Sequence, residues 1–265
     1  MGTFTKIPEN TFNGLQLDAG ILLKSFDPSS PSVTDANIIC ATTGGINPQC
    51  IATYSDLGED VDNCPNNMKE LKHLDGWDCK ISTTCLGNDP ETIRLALGAA
   101  DKGGKKIAPR RDLAQSDFSD LWWVGDRADG GFVAIKLLNA LSTGGFSLQT
   151  TKNGKGTIAL ELSGHVSINA QNKVPMEFYS ADPTEYTITN TLTKCTNSNT
   201  ANKAVKGHSY LAALTPDSGY AFAANAVSIT MGGTTITTTA YDDGIITIDE
   251  VTGNIVITAT ATAVS

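Results

Sequence analysis

Three histidines, His73, His165 and His208, are the only side chains here that could serve as a general base near neutral pH without a large pKa shift. Catalysis of the Ser-His-Asp kind needs such a base held against a serine, and no Gly-x-Ser-x-Gly elbow is present to offer one. His73 stands beside Lys72 and near Asp75 in a charged segment, His208 lies in a threonine-rich region, and His165 falls on an expected strand. Surface or packing roles are the expectation for all three, and no catalytic residue is assigned. Cys40, Cys50, Cys64, Cys79, Cys85 and Cys195 include no Cys-x-x-Cys pair and no histidine at ligand spacing, so neither zinc nor any other metal is expected. Reduced, mostly buried thiols are expected instead.

The acidic run Asp56, Glu59, Asp60 and Asp62 suggests calcium at first sight. The calcium loop of a helix-loop-helix hand requires glycine at its sixth position and glutamate at its twelfth, and both are missing, so the run reads as a solvated or interface-facing loop. Gly154-Lys155-Gly156-Thr157 lacks the spacing of a phosphate-binding loop and is expected to be a hairpin turn before a strand. Lys102, Lys105 and Lys106 with Arg110 and Arg111 form the one basic cluster, read as a solvated loop or a contact to an acidic neighbour. Trp122 and Trp123 are adjacent, so on a strand they face opposite sides, and at most one could meet a ligand. No cofactor is implied.

The elements that would position these residues are mainly strands. In residues 89–98 Asp89 can cap a helix, Pro90 suits its first position, Glu91 favours its positive end and Gly98 marks its stop, with Ile93 and Leu97 on one face. A weaker helical patch is expected over 67–74. Strands are expected over 15–24, 77–86, 131–139, 145–151 and 156–169. The polar run 47–74 reads as a long loop, mobile alone and ordered against a partner.

Composition changes near residue 180. Of 19 Lys and Arg, 16 precede that point, whereas the last 85 residues hold 19 Thr. This break, with the polar, Pro-containing join at Asp182-Pro183, predicts two domains, 1–180 and 184–265. The second has β-branched runs over 185–193, 203–206, 208–215, 226–231, 234–240, 244–248 and 254–262, separated by turn residues. That pattern predicts an immunoglobulin-like sandwich.

Charge and hydropathy narrow the function. The net charge of −9 disfavours gripping a phosphate backbone. No apolar run reaches the length of a membrane span. The start, Met1-Gly2-Thr3-Phe4-Thr5-Lys6, carries no secretory apolar region, which points to synthesis for a cytoplasm.

Two resemblances follow. The stretch from Asp217-Ser218-Gly219-Tyr220 to Gly253-Asn254-Ile255-Val256-Ile257-Thr258-Ala259 resembles bacterial immunoglobulin-like modules, such as those appended to phage tail and surface proteins. Across about residues 12–180 the chain resembles the tail tube (major tail) proteins of siphophages. Six pieces carry this in order: Leu15-Gln16-Leu17-Asp18-Ala19-Gly20, Ala41-Thr42-Thr43-Gly44-Gly45, Asp56-Leu57-Gly58-Glu59-Asp60-Val61-Asp62-Asn63, Asp117-Phe118-Ser119-Asp120-Leu121-Trp122-Trp123-Val124-Gly125-Asp126, Asn139-Ala140-Leu141-Ser142-Thr143-Gly144-Gly145-Phe146 and Gly164-His165-Val166-Ser167-Ile168-Asn169-Ala170.

The resemblance implies a β-sandwich or barrel protomer with one flanking helix. Such protomers join into hexameric rings that stack as a tube for genome ejection, with the C-terminal domain decorating the exterior. It implies a structural virion protein rather than an enzyme, located in the tail and assembled in the host cytoplasm. The partners implied are further copies of itself, other tail proteins, and viral DNA passing through the lumen without specific binding; the C-terminal domain adds a weak host-surface contact. On that view Asp56, Glu59, Asp60 and Asp62 of one subunit face Lys105, Lys106, Arg110 and Arg111 of the next. The alternatives are another tail component or an adhesin binding a host-surface glycan or receptor, and a secreted carbohydrate-active enzyme.

Overall fold

In the computed structural model, which describes residues 7–12 and 14–264, the chain is mainly β. The first six residues, on which the reading of the N-terminus rests, lie outside that range. Two compact units emerge among the described residues. One comprises Gln16–Asp126 and Phe132–Ala181; the other comprises 7–12, 14–15, Arg127–Gly131 and 182–264. No helix among the described residues is long and apolar enough to cross a membrane.

The larger unit contains β1 (Gln16–Leu23), β2 (Ala41–Asp56), β3 (Lys72–Leu86), α1 (Pro90–Leu97), β4 (Ala100–Gly103), β5 (Lys106–Pro109), β6 (Ser119–Arg127), β7 (Phe132–Ser142), β8 (Leu148–Gln149), β9 (Thr157–Ser163) and β10 (Met176–Ala181). The main sheet runs β1-β6-β7-β9-β3-β2; β10 adds to β7 and β8 to β9, while β4 and β5 form a separate hairpin. Leu22, Ile81, Leu121, Trp123, Leu137, Ile158, Leu160 and Leu162 share one core cluster. Trp122 belongs to a different cluster with Leu23, Val124 and Ala134. The two tryptophans thus take opposite faces of β6, and both are buried.

The helix obeys its punctuation. Asp89 accepts from the backbone N–H of Glu91 (3.0 Å) and Thr92 (3.1 Å), and Gly98 ends the helix at φ 74°. Thr92 and Ala96 are its buried residues, while Ile93 and Leu97, expected on one face, are both half-buried, with Ile93 packed against the core.

Three other expectations change. The helical patch over 67–74 is a single 3-10 turn, Lys69–Leu71, and β3 starts directly after it; Asn67 has φ 61°, which no helix accommodates. Residues 57–71 remain the loop expected over 47–74, whereas 72–74 fall in β3 and 47–56 in β2, which pairs with β3 from Ala41↔Leu86 to Asp56↔Lys72. The turn-like residues of β2 sit where strand geometry tolerates them: Gly44 and Gly45 have φ 77° and 89° at an irregularity in the pairing, and Pro48 lies on an edge strand that needs no outward N–H. The strand expected over 156–169 ends at Ser163, and a 3-10 turn occupies Ile168–Ala170. The Gly154–Gly156 turn precedes β9, which pairs with β8 (Leu148↔Ile158).

The smaller unit contains β11 (Glu185–Thr193), β12 (Cys195–Asn197), β13 (Lys203–Val205), β14 (Tyr210–Pro216), β15 (Tyr220–Met231), β16 (Thr234–Thr235), α2 (Thr237–Ala240), β17 (Tyr241–Asp242), β18 (Ile245–Ile248) and β19 (Ile255–Ala263). One sheet is ordered β13-β11-β19-β15-β16 and the other β12-β14-β18-β17. The first and last long strands, β11 and β19, run parallel (Ile188↔Ile255 to Thr193↔Thr260). The two sheets enclose one core that includes Ile188, Tyr210, Leu214, Ile229, Ile246, Ile248, Ile255 and Ile257. The run 234–240, expected as one strand, divides into β16 and the short helix α2: Ile236 bonds back to the Ile229 carbonyl, and Thr237 Oγ1 accepts from the Ile229 N–H (2.8 Å).

The cysteines also depart from expectation. Cys40 and Cys85 form a disulfide with Cα atoms 5.8 Å apart, whereas all six thiols were expected reduced. The β2–β3 register causes the approach: Thr42 lies opposite Cys85, which leaves Cys40 one diagonal step away. Such proximity arises from pairing across 45 residues and has no trace in local spacing.

Candidate functional site

The β2–β3 hairpin is longer than the sheet to which it belongs. β3 pairs with β9 only from Lys80↔Ser163 to Leu86↔Thr157. From Asp78 back to Lys72, β2 is the one strand paired with β3 among the described residues, so the outer part of the hairpin is a two-stranded arm. Such a ribbon is marginal by itself and presents open edges to any further strand.

The arm keeps the pleat of the core. Along β3, Cys85, Ile81 and Cys79 point inward and are buried. Two residues further out, Trp77 continues on that face, opposite Ala52; beyond an irregularity between Thr53 and Tyr54, the next pair is Tyr54↔Leu74. Cys79 is 2% exposed, whereas Trp77, Leu74 and Tyr54 are 40%, 44% and 61% exposed. The inward face of the sheet therefore becomes progressively more exposed along the arm. At the tip Leu57, Val61 and Met68 add further exposed apolar surface.

Each charged residue singled out from the sequence has a definite place. Asp56 ends β2 and closes the tip: its carboxylate accepts from the backbone N–H of Gly58 (3.0 Å) and Asn67 (2.9 Å) and lies 3.6 Å from Lys72 Nζ. The Asn67 N–H, then that of Gly58, hold its pKa below the ordinary carboxylate value, and Lys72 adds to this. Glu59, Asp60 and Asp62 are exposed on the same tip. Lys105 and Lys106 are exposed at the β4–β5 turn, and Arg111 is exposed beyond it. Arg110 is engaged within its own chain by Asp101 (2.8 Å) and by the buried Asp117, whose pKa is lowered first by the Ala114 N–H and also by Arg110. Among the described residues no ion pair joins the acidic group to the basic one.

The histidines are dispersed. The His165 ring sits edge-on to Phe118 (5.3 Å between centroids), and its Nδ1 lies 3.1 Å from the Asn139 carbonyl oxygen. His73 is exposed on the arm, and His208 is exposed in the smaller unit. Among the described residues no group of three or more His, Cys, Asp or Glu side chains is placed to hold a metal ion.

Searched against protein families and curated proteins, the chain matches no family model and no curated sequence. Its own geometry is therefore what bears on function. The apolar stripe Tyr54, Leu74 and Trp77 was not among the residues singled out from the sequence. A signal existed, since Trp77, Cys79 and Ile81 alternate as a strand does, but the polar, Asn- and Pro-containing segment around Tyr54 concealed the second strand.

Proposed function

We propose that this chain is a self-assembling structural subunit, the protomer of a siphophage tail tube. Hexameric rings would stack into a conduit for genome ejection, and the smaller unit, an immunoglobulin-like module, would decorate the exterior. The observation that carries this reading is the arm: an extension of the sheet's inward face, bearing Tyr54, Leu74 and Trp77 uncovered, on a ribbon with open edges. Such a feature gains its cover from a second copy, and closure into a ring uses up the strand edges. The ordered motifs resembling tail tube proteins add to this. The acidic tip and the exposed Lys105, Lys106 and Arg111 would supply charge pairing between copies, individually worth about 0–1 kcal/mol and weakened by salt. The chain acts in this reading without a cofactor and as part of the virion tail.

Negative-stain imaging of the purified full chain, concentrated with no other protein present, tests the proposal. Rings or tubes of uniform diameter are expected. A strictly monomeric protein at high concentration would reject it.

One observation favours a second reading, an adhesin that contacts a host-surface glycan. The outer face of strands β11, β19 and β15 carries the rows Thr191–Thr258–Ser228 and Thr189–Val256–Thr230 in register, with Glu185 at its margin. A glycan-binding chain that stays monomeric is the outcome that would select it.

A further inference from the structure

Cys50 and Cys79 stand directly opposite each other in the β2–β3 register, and their Sγ atoms are 3.2 Å apart. We propose that they are an oxidisable dithiol that closes into a second cross-strand disulfide, with a low-molecular-weight disulfide such as oxidised glutathione as electron acceptor, and that this bond clamps the root of the arm. The proposal holds whether or not the arm docks on another subunit.

Geometry and position support it. Opposed residues of an antiparallel ladder have Cα atoms about 4.5–5.5 Å apart, inside the roughly 4.4–6.8 Å that a disulfide spans. No backbone shift is needed to form the bond. Cys79 is also the residue at which support from the third strand ends: Lys80 is the last β3 residue paired with β9, and the Cys79 carbonyl accepts from the Gly164 N–H (2.9 Å). A bond here fastens the two-stranded arm where it leaves the sheet. The Cys40–Cys85 disulfide already ties the residue just before β2 to β3 near the opposite end of the supported segment, so the two bonds would bracket it.

The two thiols differ in access, which orders the reaction. Cys79 is buried, and burial first, then the neighbouring Cys50 thiol, push its pKa up to about 12. Cys50 is only half-buried and meets the reagent first. Its thiolate attacks one sulfur of oxidised glutathione and expels a glutathione thiolate, which takes up the proton. The Cys79 sulfur, losing its proton, then attacks the Cys50 sulfur of the mixed disulfide and expels the second glutathione. Two protein thiols and one glutathione disulfide become one protein disulfide and two glutathione thiols; the protein loses two electrons and two protons.

The test uses the full folded chain carrying Cys64→Ser, because Cys64 lies at the arm tip and shares the tryptic peptide 25–69 with Cys40 and Cys50. That substitution leaves three of the four free thiols, Cys50, Cys79 and Cys195. Incubation with oxidised glutathione should lower the titratable thiols from three to one. Non-reducing peptide mapping should show peptide 73–80, which carries Cys79, newly joined to the 25–69 peptide that Cys40–Cys85 already ties to 81–94, and dithiothreitol should reverse the change. With Cys79→Ser added, glutathione should remain attached at Cys50. Hydrogen exchange over residues 50–56 and 72–79 should slow severalfold on oxidation. Three thiols persisting, or glutathione remaining on Cys50 while Cys79 is present, would overturn the dithiol. Unchanged exchange in the linked protein would overturn the clamp.

Discussion

Strands β19 and β3 obey the same rule and end differently. Along β19, Ile255, Ile257, Ala259 and Ala261 alternate inward and are all buried, because the second sheet of that unit covers their full length. Along β3, Cys85, Ile81 and Cys79 alternate inward and are buried, but Trp77 and Leu74, on the same face, are open. The pleat assigns a side chain to a face; only a covering layer makes that face a core. A strand that outruns its cover turns the same pattern into a surface for association.

The largest effect on folding should come from the covered side of this comparison. Ile257→Ala removes a fully buried side chain from the core of the smaller unit and should cost about 2–5 kcal/mol. Denaturant unfolding should show it as a lowered midpoint. An effect under about 1 kcal/mol would mean that this core is loosely packed and that the contrast with the arm is weaker than drawn.

Replacing Tyr54, Leu74 and Trp77 together by serine should do the opposite. These side chains are substantially exposed, so the change in stability of the isolated chain should stay within about 1 kcal/mol. Assembly, in the proposed reading, should be lost. Sizing chromatography beside unfolding separates the two quantities, and rings forming normally from the triple variant would show that the stripe is not an assembly surface.

The smallest effect concerns the tip. The folded-state pKa of Asp56 is depressed, so its contribution to local order is present above the unfolded value, about 4, and is lost as pH falls through the folded value. Hydrogen exchange at Gly58 and Asn67, whose N–H groups it accepts from, should accelerate as pH is lowered below about 4 beyond the intrinsic pH trend. Asp56→Ala should show the faster exchange at neutral pH. No difference between the variant and the natural chain there would assign the closure of the tip to other contacts.

Legibility in the sequence followed the range of the interactions concerned. The α1 helix was readable because its cap, proline and terminal glycine act within ten residues. The strands of the smaller unit were readable because threonine, valine and isoleucine alternate over short runs, and the turn before β9 because its glycines are local. β2 was not readable: Asn47 and Pro48 are turn residues by local chemistry and become strand only because β3 supplies their partners, Ser82 and Ile81, while Gly44 and Gly45 sit at the irregularity in that pairing. Asp56 and Arg110 were read as charges available to a neighbour, whereas tip and loop geometry engages both within the chain.

By itself, then, the sequence determined a β-rich chain, its one sizeable helix, and the inward or outward parity of residues such as Trp77, Cys79, Ile81 and Ile257, because propensity, capping and the two-residue pleat are properties of neighbouring residues. The tertiary structure alone decided that Cys40 reaches Cys85, that Cys50 faces Cys79, and that the inward face stops being covered at Cys79. Each of these depends on which distant strand lies alongside and where it ends, and long-range pairing of that kind leaves no local mark.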